Sequence, residues 1–360
     1  MSDSSPLHLE IHDVAFGGKG VARHEGKVYF VPFTIPGEKI TARVLRQKKN
    51  FGEAELLSVE TPSPDRIEPP CPYFGRCGGC SYQHIAYDRQ LAIKAAQVEQ
   101  TLRRVGRLEN VPMRPIVGAP QPYGYRNRIR VHSAGGVTGF FASDARALVD
   151  VEQCALAAPE VNRALRRLRG SPVREGDYSL RAPGGGPYFE QTNPEMAGLL
   201  VETVRAAVRG KAVLIDAYCG AGLFARALAD RFEKVIGIEA NAAAVVSARR
   251  SAQPHESYIA GEVSAHIGEV LSLHDPAQTT VLLDPPTEGL APQVCDLVLA
   301  AGPAEVIYVS CNPATLARDL AALVGSYEVL AVTPLDMFPQ TAEIELVAHL
   351  VPRSDLIRHH

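Results

Sequence analysis

The chain has 360 residues, 46% hydrophobic and 21% charged, enough for two or three domains with full cores and typical of a soluble globular protein. No apolar run approaches the roughly 20 residues of a membrane helix, and Met1-Ser-Asp-Ser-Ser-Pro carries no export signal, so a cytoplasmic location and no membrane are expected. A net charge of −3 gives no global attraction to a polyanion, but Lys39, Arg43, Arg46, Lys48 and Lys49 fall in a stretch without acids, and Arg163 to Arg169 hold four Arg. From residue 7 to about 60 the chain reads as short alternating strands: His8-Leu-Glu-Ile-His, then Lys27-Val-Tyr-Phe-Val-Pro-Phe33, Ile40 to Arg46 and Ala54 to Val59. A glycine-rich turn, Phe16-Gly-Gly-Lys-Gly, and Thr34-Ile-Pro-Gly37 punctuate them. About five short strands without a helical period predict a small closed barrel.

The run Gly-Lys-Gly-Val-Ala-Arg, followed by Phe-Val-Pro and Pro-Gly-Glu, resembles a TRAM domain, an OB-like barrel of RNA-modifying enzymes. The resemblance implies RNA binding by residues 1–62; a generic barrel with a solvated basic edge is the plainer alternative. Thr61 to Pro70 reads as a Pro-rich linker. Then comes Cys71-Pro-Tyr-Phe-Gly-Arg-Cys77-Gly-Gly-Cys80, three thiols that Gly and Pro let converge. A four-thiolate centre needs a fourth, and Cys154 is the one other Cys before the third domain. Spacing alone does not separate zinc from a [4Fe–4S] cluster.

A helix is expected over Asp88 to Arg107, with Leu91, Ala95, Val98 and Leu102 on one face. Strands follow at Gly124 to His132 and Val137 to Phe141, and a basic helix at Val161 to Leu168. Tyr123, Tyr125, Arg126, Arg128 and Arg130 mix aromatic and cationic groups, the chemistry of a base-stacking surface, or of a strand with its Arg face in water. Gly184-Gly-Gly-Pro187 marks the end of a mixed α+β central domain, residues 63–187.

From Tyr188 to residue 360 helix and strand alternate, as in a doubly wound α/β sheet. Thr192 or Asn193 caps a helix from Pro194 to Val208. The strand Ala212-Val-Leu-Ile-Asp216 leads into Ala217-Tyr-Cys-Gly-Ala-Gly222, whose Gly220 and Gly222 allow close backbone approach to a ligand. Glu239, ending the next strand, is placed to accept both hydroxyls of a ribose. Asp-x-x-Cys-Gly-x-Gly resembles the S-adenosylmethionine loop of class I methyltransferases, a Rossmann-like fold. Leu282-Leu-Asp284-Pro-Pro286 ends another strand with a carboxylate, and Val306 to Val309 runs into Ser310-Cys311-Asn-Pro. A thiol at a strand end suits addition to C6 of a pyrimidine, which makes C5 a carbon nucleophile; a base must then remove the C5 proton.

These motifs, in this order, resemble the RNA 5-methyluridine (uracil-C5) methyltransferase family of the TRAM and [4Fe–4S] type. The resemblance implies Cys311 as nucleophile and Glu345, in Phe-Pro-Gln-Thr-Ala-Glu-Ile-Glu, as base. It implies Gln191, Tyr218, Gly220, Gly222, Glu239 and Asp284 around S-adenosyl-L-methionine, and Cys71, Cys77, Cys80 and Cys154 around an iron–sulfur cluster. The implied substrate is a uridine in structured RNA, with large-subunit ribosomal RNA ahead of transfer RNA; no obligate protein partner is indicated. A non-catalytic RNA-binding or assembly factor and a cytosine-C5 enzyme are the competing readings. Three positions depart from the family: Thr287-Glu288 stands where Arg is usual after Asp-Pro-Pro, Glu343 where His is usual, and Leu223 where Asn is common. Strand alternation would send Glu343 and Glu345 the same way, which leaves either as the base.

Overall fold

The computed structural model describes residues 6–144, 147–184 and 191–353. The chain divides into two compact units: Met1–Gln97 with Pro120–Gly184 and Phe338–Glu343, and Val98–Ala119 with Gly185–Met337 and Ile344–His360.

In the first unit, β1 (Leu7–Val14), β2 (Lys19–His24), β3 (Lys27–Pro32), β4 (Lys39–Gln47) and β5 (Phe51–Thr61) close a barrel in the order β1-β2-β3-β5-β4. Period-two alternation drives it: Leu9, Ile11, Val31, Ile40 and Ala42 fill the interior while their neighbours face out. The small barrel expected from the sequence is therefore present. The Pro-rich stretch after it is tied down. Buried Glu38 accepts from the backbone N–H of Ile35 and Ser63, and from Arg66 through Nε at 2.5 Å and Nη2 at 2.8 Å. Burial works against the Glu38 charge, but Arg66 and the N–H donors prevail and hold the carboxyl below its usual range. Residues 61–70 are thus tied to the end of the barrel.

Helix α1 (Tyr87–Val105) follows, then a four-stranded antiparallel sheet. Its strands β6 (Arg128–Ala134), β7 (Val137–Phe141), β8 (Leu148–Asp150) and β9 (Gly176–Arg181) lie in the order β8-β7-β6-β9. Helix α2 (Pro159–Arg169) covers one face, with Val161 and Leu165 packed against Ile129 and Val131. The expected break at Gly184 to Pro187 runs into residues 185–190, which lie outside the described residues.

The second unit is a seven-stranded sheet. Helix α3 (Pro194–Ala207) leads into β10 (Val213–Ala217), α4 (Leu223–Leu228), β11 (Lys234–Glu239), α5 (Ala242–Arg250), β12 (Glu256–Ala260) and α6 (Val263–Ser272). Then come β13 (Thr279–Leu283), α7 (Pro292–Ala301), β14 (Glu305–Ser310), α8 (Pro313–Leu323), β15 (Tyr327–Leu335) and β16 (Glu345–Pro352). The order is β12-β11-β10-β13-β14-β16-β15. β10 to β14 are parallel neighbours, and β16 enters antiparallel between β14 and β15. β13 and β14 are buried along their whole length, as strands of a sheet covered on both faces are. Asn193 caps α3 by accepting from Met196 N–H, and Asn312 caps α8 by accepting from Ala314 N–H. Val98 and Leu102 join this core, and Val98–Ala119 group with the second unit. No helix among the described residues is long and apolar enough to cross a membrane.

Candidate active site

The order of the sheet reverses between β10 and β13, the switch point at which open α/β sheets bind ligands beyond their carboxyl ends. The predicted residues gather along that edge. β10 opens into Tyr218 to Gly222; β11 ends at Glu239; β13 and β14 lead directly into Asp284 and Cys311. β16 runs the other way, so its first residue, Glu345, lies on the same edge. Its register against β14 ends at Ser310↔Leu346, so Cys311 and Glu345 are the residues next beyond that last pair, and the Glu345 charge bears on the Cys311 thiol.

The loop after β10 is fixed by backbone hydrogen bonds. Tyr218 and Cys219 N–H both donate to Ile238 O, at 2.9 and 3.1 Å, and Gly222 N–H donates to Cys219 O at 2.8 Å. Tyr218, Gly220 and Gly222 take φ of +67°, +53° and +85°. A non-glycine residue in that region stores strain that functional loops tolerate. The Glu239 carboxylate accepts Gly220 N–H at 3.0 Å on one oxygen and Asn241 N–H at 2.7 Å on the other, which leaves each oxygen a lone pair for a hydroxyl donor. Gln191 sits half-buried two residues before the α3 cap. Asn193 anchors that cap by donating to Met337 O at 3.1 Å.

Asp216 was not singled out as a site residue by the sequence, yet it is the most telling group in this loop. It is fully buried; Oδ2 accepts Ala225 N–H at 2.8 Å, while Oδ1 has no hydrogen-bond partner. A buried acceptor is costly to leave unmade, so this atom awaits a ligand donor or a proton. Burial, with the nearby Asp284 and Glu239 charges, pushes its carboxyl up to about 8. Burial and Glu239 push Asp284 to about 7. Three acids crowd the edge, an environment that favours a cationic ligand.

Cys311 is half-buried. Burial raises its thiol, Thr287 lowers it, and Glu345 and Asp284 raise it further, for a net upward shift. Glu345 is buried, 6% exposed, whereas Glu343 is exposed and precedes the strand. The alternation that would have sent both the same way therefore does not apply. The first unit uses this segment for itself. Lys94 Nζ donates to Glu343 O at 2.8 Å and to Phe338 O at 3.3 Å, and Ser81 and Tyr82 N–H donate to Gln340 O at 2.9 and 3.0 Å.

In the first unit, Cys71, Cys77, Cys80 and Cys154 line one cavity of about 240 Å³, with Gln83 and Arg126 among its walls. Gln83 Nε2 donates to Cys80 Sγ at 3.1 Å, and Asn162 fixes the Cys154 backbone through both its amide atoms. Burial raises the thiols of Cys77, Cys80 and Cys154, Cys80 to about 12, and Arg126 opposes the rise at Cys80 and Cys154. No three His, Cys, Asp or Glu side chains among the described residues are gathered tightly enough to hold a single metal ion. The expected base-stacking group is dispersed. Tyr125 is buried and donates to Pro339 O at 3.0 Å, Arg126 faces the cysteine cavity, and Arg130 pairs with Asp177.

A switch-point sheet of this order, with a glycine loop and an acidic strand end, is the arrangement of a Rossmann-like methyltransferase, and the matches to known proteins agree. The tRNA (uracil-5-)-methyltransferase family model matches residues 173–352, and the TRAM domain model matches residues 7–57. An uncharacterized RNA methyltransferase of Thermosynechococcus vestitus is 32% identical, covering 96% of this chain and 97% of its own. One of Protochlamydia amoebophila is 31% identical over 95% and 96%. Among solved structures, the tRNA (uracil-54, C5)-methyltransferase of Pyrococcus abyssi, in complex with S-adenosyl-L-homocysteine, is similar with a TM-score of 0.71 and 26% identity, covering 96% of this chain and 99% of that one. The chain belongs to the tRNA (uracil-5-)-methyltransferase family and is an RNA (uracil-C5) methyltransferase.

Proposed function

We propose that this enzyme methylates C5 of a uridine in structured RNA through a covalent bond between Cys311 and C6, with S-adenosyl-L-methionine as donor. The observation that supports the reading is the end of the β14–β16 ladder at Ser310↔Leu346, beyond which Cys311 and the buried Glu345 come next, with the Glu345 and Asp284 charges both acting on the thiol. The donor supplies an electrophilic methyl group to C5. Cys311 Sγ adds to C6 and places carbanion character on C5. Glu345 takes the C5 proton after the methyl is in place, and β-elimination returns the Cys311 thiolate. Tyr218, Gly220, Gly222, Glu239 and Gln191 hold the donor, with Glu239 on its ribose hydroxyls, and Asp284 orients donor or pyrimidine. The target base must leave its stack to reach the thiol. Release of tritium from RNA labelled at uridine C5 tests the whole scheme, because a non-catalytic RNA-binding protein releases none.

The orphaned Asp216 Oδ1 and the acid trio fit a donor that carries positive charge. The two raised carboxyls predict a pH dependence. Below about pH 7 Asp284 and Asp216 are protonated and neutral; above about pH 8 they are anions that attract the sulfonium. The affinity for S-adenosyl-L-methionine relative to the uncharged-sulfur product should rise on the order of tenfold from about pH 6 to about pH 9. Calorimetric titration of both ligands gives the ratio, and a flat ratio would remove the electrostatic role.

We assign the four-thiol cavity to a [4Fe–4S] cluster. Four Cys around one cavity match the thiolate count of such a cluster, and the resemblance to the TRAM and [4Fe–4S] type favours it over zinc. Anaerobically purified protein should be brown with thiolate-to-iron absorption, and Cys77→Ser should bleach it. Colourless protein with one bound zinc overturns the assignment.

Large-subunit ribosomal RNA is the first substrate assigned, on the pairing of a TRAM barrel with a four-thiol site. Transfer RNA is the second, favoured by the substrate named for the Pyrococcus abyssi relative. Mass-spectrometric mapping of 5-methyluridine in RNA from a deletion strain decides between them.

A further inference from the structure

Thr287 lies on the turn after β13, directly beside the thiol of Cys311. Its hydroxyl Oγ1 lies 3.5 Å from Cys311 Sγ, within hydrogen-bond reach of the larger sulfur atom. The contact is built and not incidental. Gly289 N–H donates to Pro286 O at 2.8 Å and closes a tight turn with Thr287 near its tip. Gly289 adopts φ +79°, and a Cβ there would stand 2.6 Å from Asp319 Oδ2. Helix α8 then holds the turn from below. Asn312 Nδ2 and Thr315 Oγ1 donate to Thr287 O at 3.3 and 3.2 Å, Arg318 Nη2 donates to Glu288 O at 2.9 Å, and Asp319 accepts Leu290 N–H at 2.8 Å. Buried Asp319 is itself fixed by Tyr308 OH at 2.6 Å.

The charges around the thiol show why a donor is needed. Asp284 at the end of β13 and Glu345 at the start of β16 both disfavour a thiolate. Glu288 on the turn adds an exposed acid. The cation of α8, Arg318, is engaged with Glu288 O, Leu290 O and Asp319. We propose that the Thr287 hydroxyl serves as the hydrogen-bond donor that stabilises and aims the Cys311 thiolate. The proposal rests on the reading of Cys311 as nucleophile. A hydroxyl delivers one directed donor without placing a fixed charge beside the sulfonium methyl.

The test follows the thiol itself. Alkylation of Cys311 by iodoacetamide in RNA-free, full-length enzyme is measured against pH, with the Cys311 peptide quantified by mass spectrometry so that the other thiols do not interfere. Removing the donor raises the thiol, so Thr287→Val and Thr287→Ala should move the profile up by about one pH unit and slow alkylation at neutral pH about tenfold. Thr287→Ser should restore the wild-type profile. Unchanged S-adenosyl-L-methionine binding by each variant certifies its fold. A Val profile that superimposes on wild type overturns the proposal; so does a Ser profile displaced as far as Val, because packing and not the hydroxyl would then be the cause. Failure of the nucleophile reading shows elsewhere, as methyl transfer that survives loss of Cys311, and leaves the alkylation profile free to report on the contact.

Discussion

Cys311→Ala should abolish methyl transfer, lowering turnover by on the order of 10⁴-fold or more. The size follows from the chemistry. Uracil C5 is a poor nucleophile until a nucleophile has added at C6, and no other described thiol is placed to do it. Cys71, Cys77, Cys80 and Cys154 belong to the first unit, and Cys295 lies in the apolar core on α7. Cys219 is buried and its thiol is pushed strongly upward, by burial first and then by Asp216 and Glu239, so at neutral pH it stays protonated and inert. The variant should fold and bind donor normally, because Cys311 follows β14 and contributes neither a strand rung nor the α8 cap. Single-turnover transfer from labelled donor is the measurement. Full turnover by the variant would exclude a covalent route.

Glu345→Gln should leave the first half of the reaction intact and stop the second. Gln has nearly the shape of Glu, so the strand start and its buried side chain keep their packing. The amide cannot take the C5 proton, so the RNA stays bonded through C6 to Cys311. The expected signature is a protein–RNA adduct that survives a denaturing gel, with turnover lowered by about 10²–10⁴-fold. Glu343→Gln is the control. Glu343 is exposed and ahead of β16, and should turn over without accumulating adduct. An adduct in the Glu343 variant and none in the Glu345 variant would transfer the base assignment to the other acid.

How much of this was legible in the sequence depends on whether the signal was local. The barrel could be read because alternation and the Gly and Pro turns act within a few residues. The cap at Thr192 or Asn193 was readable for the same reason, and the strand ends at Asp284 and Cys311 because rigid Pro-containing turns follow them. The unreadable parts depend on distant partners. Polar Lys94 and Gln97 look like the wet side of α1, yet both are buried. Tyr125 and Arg126 look like a nucleic-acid surface and instead serve the interior of the first unit. The role of Asp216 was hidden because its orphaned oxygen is evident from three-dimensional surroundings alone. Thr287 read as a missing Arg; its turn and the helix beneath it make it a directed donor.

The placement of β16 also sets the order of assembly. β14 and β15 precede it in the chain but are not neighbours; they flank a slot that β16 must enter. The sheet cannot zip up strand by strand as the chain emerges, because β14 and β15 are joined by a segment that follows both; the outer edge of β15 bonds instead to Pro112, Arg114 and Val117. Non-local pairings of this kind are slow to form. A half-folded chain would therefore possess the donor loop and the thiol but lack the base. The proposed chemistry is gated by completion of the sheet, and an immature molecule that engaged RNA could form the bond to C6 with no means of resolving the methylated adduct.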